Sequence, residues 1–128
     1  MAHVLVIDDE EDVRRVIDLI LKNAGHNAVL AIDGQDGLRQ FERQHFDLVI
    51  CDLFMPNKEG IATLRELRRR DPGLPVIMMS SGMPTAPHRG VGEVDYLAMA
   101  EALGATRTIE KPFKYSKLVR LVQECLRR

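Results

Sequence analysis

Apolar and polar positions along this chain alternate between two rhythms. Short apolar runs recur at "HVLVID" (3–8), "HNAVLAI" (26–32), "FDLVICD" (46–52) and "PVIMMS" (75–80), with a shorter one at "TRTIE" (106–110). Between them the spacing of apolar residues lengthens to that of a helix. "EDVRRVIDLILKNAG" (11–25) predicts a helix with Val13, Val16, Ile17, Ile20 and Leu21 on one face, stopped by Gly25. "DGQDGLRQFERQ" (33–44) predicts a second with Leu38 and Phe41 inward, its start weakened by Gly34 and Gly37. "EGIATLRELRRRDPG" (59–73) predicts a third with Ile61, Leu64 and Leu67 buried, closed by Asp71-Pro72-Gly73. A fourth is expected in "EVDYLAMAEALG" (93–104) and a fifth in "YSKLVRLVQECLRR" (115–128).

Five strands alternating with five helices, with strands apolar throughout, argue for a parallel sheet covered on both faces. No repeat, linker or second domain interrupts the pattern. The chain reads as one domain, 1–128, without an attached output domain. Its 128 residues, 45% apolar and 29% charged, suit a globular protein with a real core and argue against disorder. The net charge of −1, from 18 basic and 19 acidic side chains, offers no electrostatic reason to expect nucleic acid or a membrane surface. No signal peptide or membrane-length apolar run is visible, so a cytoplasmic location is expected. Cys51 and Cys125 read as small buried thiols rather than a disulfide. His3, His26, His45 and His88 lack ligand spacing.

In an open α/β sheet, ligands gather beyond the C-terminal ends of the strands. The first strand here ends in Asp8-Asp9-Glu10, the third in Asp52, the fourth in Ser80-Ser81 and the fifth in Glu110-Lys111-Pro112. If the first and third strands are neighbours, each close carboxylate pair is opposed by roughly 4 kcal/mol at an effective dielectric near 20. A hard divalent cation such as Mg²⁺ resolves that repulsion. The blander alternative is that one of Asp8 and Asp9 caps the next helix. A carboxylate can also attack phosphorus to form an aspartyl phosphate. The phosphoryl oxygens would then need donors such as the Lys111 ammonium and the Ser80 hydroxyl. Taken singly, a lysine is usually solvated and a serine at a strand end is usually a turn residue; their coincidence on one edge carries the weight.

In these residues the chain resembles the receiver domain of bacterial two-component response regulators, of the chemotaxis-regulator-like, single-domain form. "DDE" (8–10) is similar to the family's acidic pair. "DLFMPNKEG" (52–60) is similar to its phosphoacceptor loop, "IMMS" (77–80) with Ser81 to its fourth strand, and "KPF" (111–113) to its lysine with the following proline, whose bond is usually cis. The resemblance implies a flavodoxin-like (βα)5 three-layer sandwich with strand order 2-1-3-4-5. It implies that Asp52 accepts a phosphoryl group from a histidine kinase or histidine phosphotransfer protein. Mg²⁺ would be held by Asp9, Asp52 and the backbone carbonyl of Phe54, with Asp8 acting through water. Ser80, Lys111 and the backbone N–H of Ser81 would bind the phosphoryl oxygens. A monomer or weak homodimer is expected, with an unnamed downstream protein target.

Two departures bear on signalling. Thr108 stands where the family usually has an aromatic residue, and the span from Ser80 to Lys111 is longer than usual. Residues 81–92 exceed the 2–6 typical of such loops and contain Gly82, Pro84, Pro87, Gly90 and Gly92. That segment, with the start of the next helix (Glu93 to Met99), is the expected switch, against the alternative of a passive insertion. Two other functions compete. A haloacid-dehalogenase-type phosphatase needs a second acid two residues after its nucleophile, where this chain has Phe54. A pseudo-receiver, an interaction module never phosphorylated, typically lacks the acids or the lysine, and here all are present.

Overall fold

The computed structural model describes residues 1–55, 59–80 and 96–127. Five strands, β1 (His3–Ile7), β2 (Asn27–Ala31), β3 (Leu48–Asp52), β4 (Val76–Ser80) and β5 (Arg107–Glu110), alternate with five helices. These are α1 (Glu11–Asn23), α2 (Gly34–Arg43), α3 (Glu59–Arg70), α4 (Tyr96–Ala102) and α5 (Tyr115–Leu126). The strands form one parallel sheet in the order β2-β1-β3-β4-β5. This is the flavodoxin-like (βα)5 architecture, with the strand order 2-1-3-4-5 that the resemblance implied.

The period of two along each central strand divides the core into two layers. Val4, Val6, Leu48, Ile50, Ile77 and Met79 face α1 and α5, where they meet Ile17, Leu21, Leu118 and Val122. Leu5, Ile7, Val49, Cys51, Val76 and Met78 face the other way, against Leu64, Leu67 and Ala100. Every residue of β3 and β4 is buried, whereas edge strands β2 and β5 keep exposed positions. Cys51 and Cys125 lie in opposite layers, both buried and both free thiols.

The helix faces follow the periodicity with one correction. Ile17, Ile20 and Leu21 are buried and Val13 packs against them, but Val16 is 53% exposed. Val16 sits roughly 90° around the helix from the centre of the Ile17–Leu21 stripe, outside the arc that the sheet covers. Leu38, Phe41 and Ile61 are half-buried against the second layer, and Phe41 stacks on Phe46 with ring centroids 6.3 Å apart. A Cβ at Gly37 would run into the Ile7 side chain, so the residue that weakens α2 locally also lets it close on β1. The expected start of the fourth helix at Glu93 and the 81–92 loop lie outside the described residues. No helix among the described residues is long and apolar enough to cross a membrane.

Two glycines contrast in what they do. Gly25 adopts φ +90° beyond the end of α1 with open space around it, while a Cβ at Gly60 would strike the backbone oxygens of Asp52 and Leu53. Gly60 thus lets α3 begin directly against the end of β3. Gly25→Ala is expected to cost about 1 kcal/mol through left-handed backbone strain. Gly60→Ala is expected to cost about 2–3 kcal/mol, because backbone rather than side chain must move. Urea unfolding of the two variants against the parent measures the difference, and an equal or reversed order would refute the packing argument.

Candidate functional site

The register of the sheet brings the sequence's chemistry to one edge. Ile7 pairs with Cys51, Asp52 with Met79, and Ser80 with Glu110, so the residues at and just past these positions converge at the C-terminal ends of β1, β3, β4 and β5. Bonds beyond the ladder continue the alignment, from Asp8 N–H to the Ala31 carbonyl (3.1 Å) and from Lys111 N–H to the Ser80 carbonyl (2.6 Å).

Asp8 is wholly buried and fully engaged. Its Oδ1 accepts from the Glu10 N–H at 2.8 Å and its Oδ2 from Lys111 Nζ at 2.8 Å. Its carbonyl accepts from Arg14 Nη1 at 2.8 Å. Asp9 is exposed at the mouth. Asp52 is buried, 3% exposed, and its Oδ1 has no hydrogen-bond partner among the described residues. Lys111 Nζ stands 3.5 Å from that oxygen, an ion-pair distance without hydrogen-bond geometry. A buried carboxylate oxygen without a donor is costly. It is also the place where a new bond or a cation would be accepted.

Asp8, Asp9 and Asp52 bring carboxylate oxygens within 4.8 Å of one another. Hard oxygen donors, one buried and without a hydrogen bond among the described residues, suit Mg²⁺, which binds through a few carboxylates and keeps water for the rest of its shell. Each Asp8 oxygen already accepts one protein donor, whereas no hydrogen bond reaches Asp52 Oδ1 among the described residues. Phe54, 40% exposed, follows β3 at the same edge. Ser80 ends β4 with 5% exposure. Ser81 lies outside the described residues. The Lys111-Pro112 bond is cis. Thr108 pairs with Met78 in β5 and is half-buried.

Two neighbours emerged only in three dimensions. Arg14, one turn into α1, ties the carbonyl of Asp8; its position six residues on gave no hint of that contact. Glu10 reaches within 3.7 Å of Lys111 Nζ, and its place beside the acidic pair was the available signal.

These charges perturb one another. Burial pushes the Asp52 carboxyl up from 3.8 to about 7, the Asp8 charge adds to the rise, and Lys111 and the Phe54 backbone N–H oppose it. Burial acts to lower the Lys111 ammonium, but Asp8, Asp52 and Glu10 outweigh it and hold the lysine above its ordinary value.

A folded-state carboxyl titrating near 7 keeps a proton that the unfolded chain has already lost near 3.8. Stability therefore falls as pH rises through that window and levels off above it. Without divalent metal, Asp52→Asn is expected to be more stable than the parent at about pH 8, by about 2–3 kcal/mol after allowing for screening. The gap should narrow toward about pH 5. Urea unfolding at the two pH values checks this; equal stability at the higher pH would mean that Asp52 ionises without penalty.

Comparison with known proteins places this geometry. Residues 4–123 match the family model of the response regulator receiver domain. The chain is 34% identical over 125 residues to the probable transcriptional regulator ycf27 of Porphyridium aerugineum, covering 98% of this chain and 48% of that protein. It is 30% identical over 123 residues to the transcriptional regulatory protein ZraR of Salmonella typhimurium, covering 96% of this chain and 26% of that protein. The chain thus spans only a quarter to a half of these curated relatives. Among solved structures, a response regulator receiver domain protein from Clostridium thermocellum superposes with a TM-score of 0.87 at 28% identity, covering 100% of this chain and 96% of that one. With the acidic cluster at the strand ends and the family match across nearly the whole chain, this protein belongs to the response regulator receiver domain family.

Proposed function

We propose that this domain is the phosphoacceptor of a two-component phosphorelay, and that Asp52 takes the phosphoryl group. The observation that carries the reading is the buried Asp52 Oδ1, which has no hydrogen bond among the described residues and lies between the Asp8–Asp9 pair and the Lys111 ammonium. In this reading the donor is a histidine kinase or histidine phosphotransfer protein, met in the cytoplasm. The phosphorus–nitrogen bond of its phosphohistidine breaks as an Asp52 oxygen bonds to phosphorus, and the imidazole leaves with the electron pair.

Asp9, Asp52 and the Phe54 carbonyl would hold Mg²⁺, with Asp8 acting through water. When bound, Mg²⁺ supplies positive charge against the carboxylates and the incoming phosphoryl oxygens. Lys111 would neutralise charge on the phosphoryl oxygens, and Ser80 with the Ser81 N–H would complete the set of donors. The domain catalyses only its own phosphorylation and dephosphorylation. It contacts no nucleic acid itself, and its downstream target is a protein. With Thr108 too small to fill and vacate a pocket as a ring would, the response leaves through Ser80 and the segment of residues 81–99. The second reading, an interaction module that is never phosphorylated, is disfavoured by the presence of all three acids and the lysine in contact.

Incubation with Mg²⁺ and acetyl phosphate should add one phosphate mass to the parent and none to Asp52→Asn. EDTA should abolish the adduct, and Asp9→Ala should lose most Mg²⁺ affinity. A full adduct on Asp52→Asn, or full-rate reaction in EDTA, would reject the assignment. Lys111→Arg keeps the charge that Asp8 needs but changes its shape. It should fold and bind Mg²⁺ yet bind beryllofluoride roughly tenfold more weakly, as expected for loss of a directed charge-assisted hydrogen bond. Unchanged beryllofluoride affinity would remove Lys111 from the phosphoryl site. Hydrogen exchange with and without beryllofluoride tests the switch. Slower exchange across 82–99 supports it; protection confined to β5 and α5 contradicts it.

A further inference from the structure

Glu10 has no part in the chemistry above, yet it stands at the mouth of the site. Its carboxylate lies 3.7 Å from Lys111 Nζ, with its side chain 65% exposed against 12% for the lysine. It occupies the N-cap position of α1 without making a side-chain capping bond, and glutamate is not among the good caps. The helix dipole favours negative charge here, but no hydrogen bond of α1 uses the Glu10 carboxylate. Glu10 and Lys111 also line one shallow groove, together with Asp12, Val13, Val16, Pro112 and Phe113.

We propose that Glu10 is a specificity-determining residue that slows phosphoryl transfer from small, free, anionic donors. It does so in two ways. It competes with phosphoryl oxygens for Lys111, and it sets a fixed negative charge where a dianion must enter. A protein donor can meet Glu10 with a cation of its own; a small anion cannot. The inference rests on the reading of Asp52 and Lys111 as the phosphoryl-binding pair.

The test compares the full chain with Glu10→Gln and Glu10→Ala at saturating Mg²⁺, following adduct mass over time. With acetyl phosphate, the bond from phosphorus to the acyl oxygen breaks, Asp52 bonds to phosphorus, and acetate leaves. With phosphoramidate, whose ammonium offsets part of its charge, the phosphorus–nitrogen bond breaks and ammonia leaves. Both variants should react roughly three- to tenfold faster than the parent with acetyl phosphate, and gain less with phosphoramidate. High salt should shrink the difference, because an exposed charge is screened. Equal or slower rates with acetyl phosphate overturn the proposal.

A second arm needs no transfer. Inorganic phosphate, titrated against the Mg²⁺-loaded protein and followed at the Lys111 amide resonance, should bind roughly threefold tighter to Glu10→Gln. Equal affinity counts against the proposal. Asp52→Asn, run alongside with acetyl phosphate, separates the two claims. An adduct on that variant rejects Asp52 as the acceptor, and the phosphate titration then judges Glu10 independently.

Discussion

The contact between Lys111 Nζ and Asp8 Oδ2, at 2.8 Å, joins residues 103 apart in sequence and is the constraint on which the rest of the site depends. Asp8 has no exposed surface and the lysine very little. Neither charge would be tolerated there alone, since an unpaired buried ion is strongly destabilising. Yet the pair does not neutralise its surroundings. Asp8, Asp9, Asp52 and Glu10 gather around one ammonium, so a net negative charge remains when all are ionised. Excess negative charge of this kind suits a divalent cation, and the Asp8 charge adds to the burial that pushes the Asp52 carboxyl up. The site is stable enough to form and unbalanced enough to bind.

Sheet topology produces this imbalance. In the order β2-β1-β3-β4-β5 the chain reverses direction across the sheet between β1 and β3. Such a reversal opens a crevice at the strand ends, because the connections leave it toward opposite faces. Here the two strands beside that crevice end in acids, while the fifth, two strands farther out, carries the lysine. The lysine spans that gap with its long stem and holds its own backbone in place through the Ser80 carbonyl. A hydrogen bond between neighbouring strand ends thus couples the lysine to β4.

The surroundings of the site are built from side chains bonding to backbone. Arg14 fixes the loop after β1, and Gly60 lets α3 press on the loop after β3. Farther away, Arg68 donates to the carbonyls of Asp71 and Gly104 and to Thr106 Oγ1, drawing the end of α3 to the start of β5. Its neighbours Arg69 and Arg70 instead pair with Glu66 at the surface. One run of three arginines therefore divides between a structural tie and a solvated face.

What the sequence by itself determined is local or periodic. All ten elements follow from apolar spacing, because a strand buried on both faces and a helix buried on one leave different rhythms. The acidic pair, Asp52, Ser80 and Lys111 were readable because each ends a strand, and parallel strands bring all their ends to one edge. What sequence spacing could not decide depends on angle and distance between elements. Val16 matches the helical repeat but falls outside the arc that the sheet covers. Glu10 and Arg14 look like ordinary charges of a helix start, and only the closeness of β5 and the direction of the Asp8 carbonyl give them partners. The strand order that sets β1 beside β3 belongs to the same class. Short-range pattern records which face of an element is buried; which other element buries it is decided when the chain closes on itself.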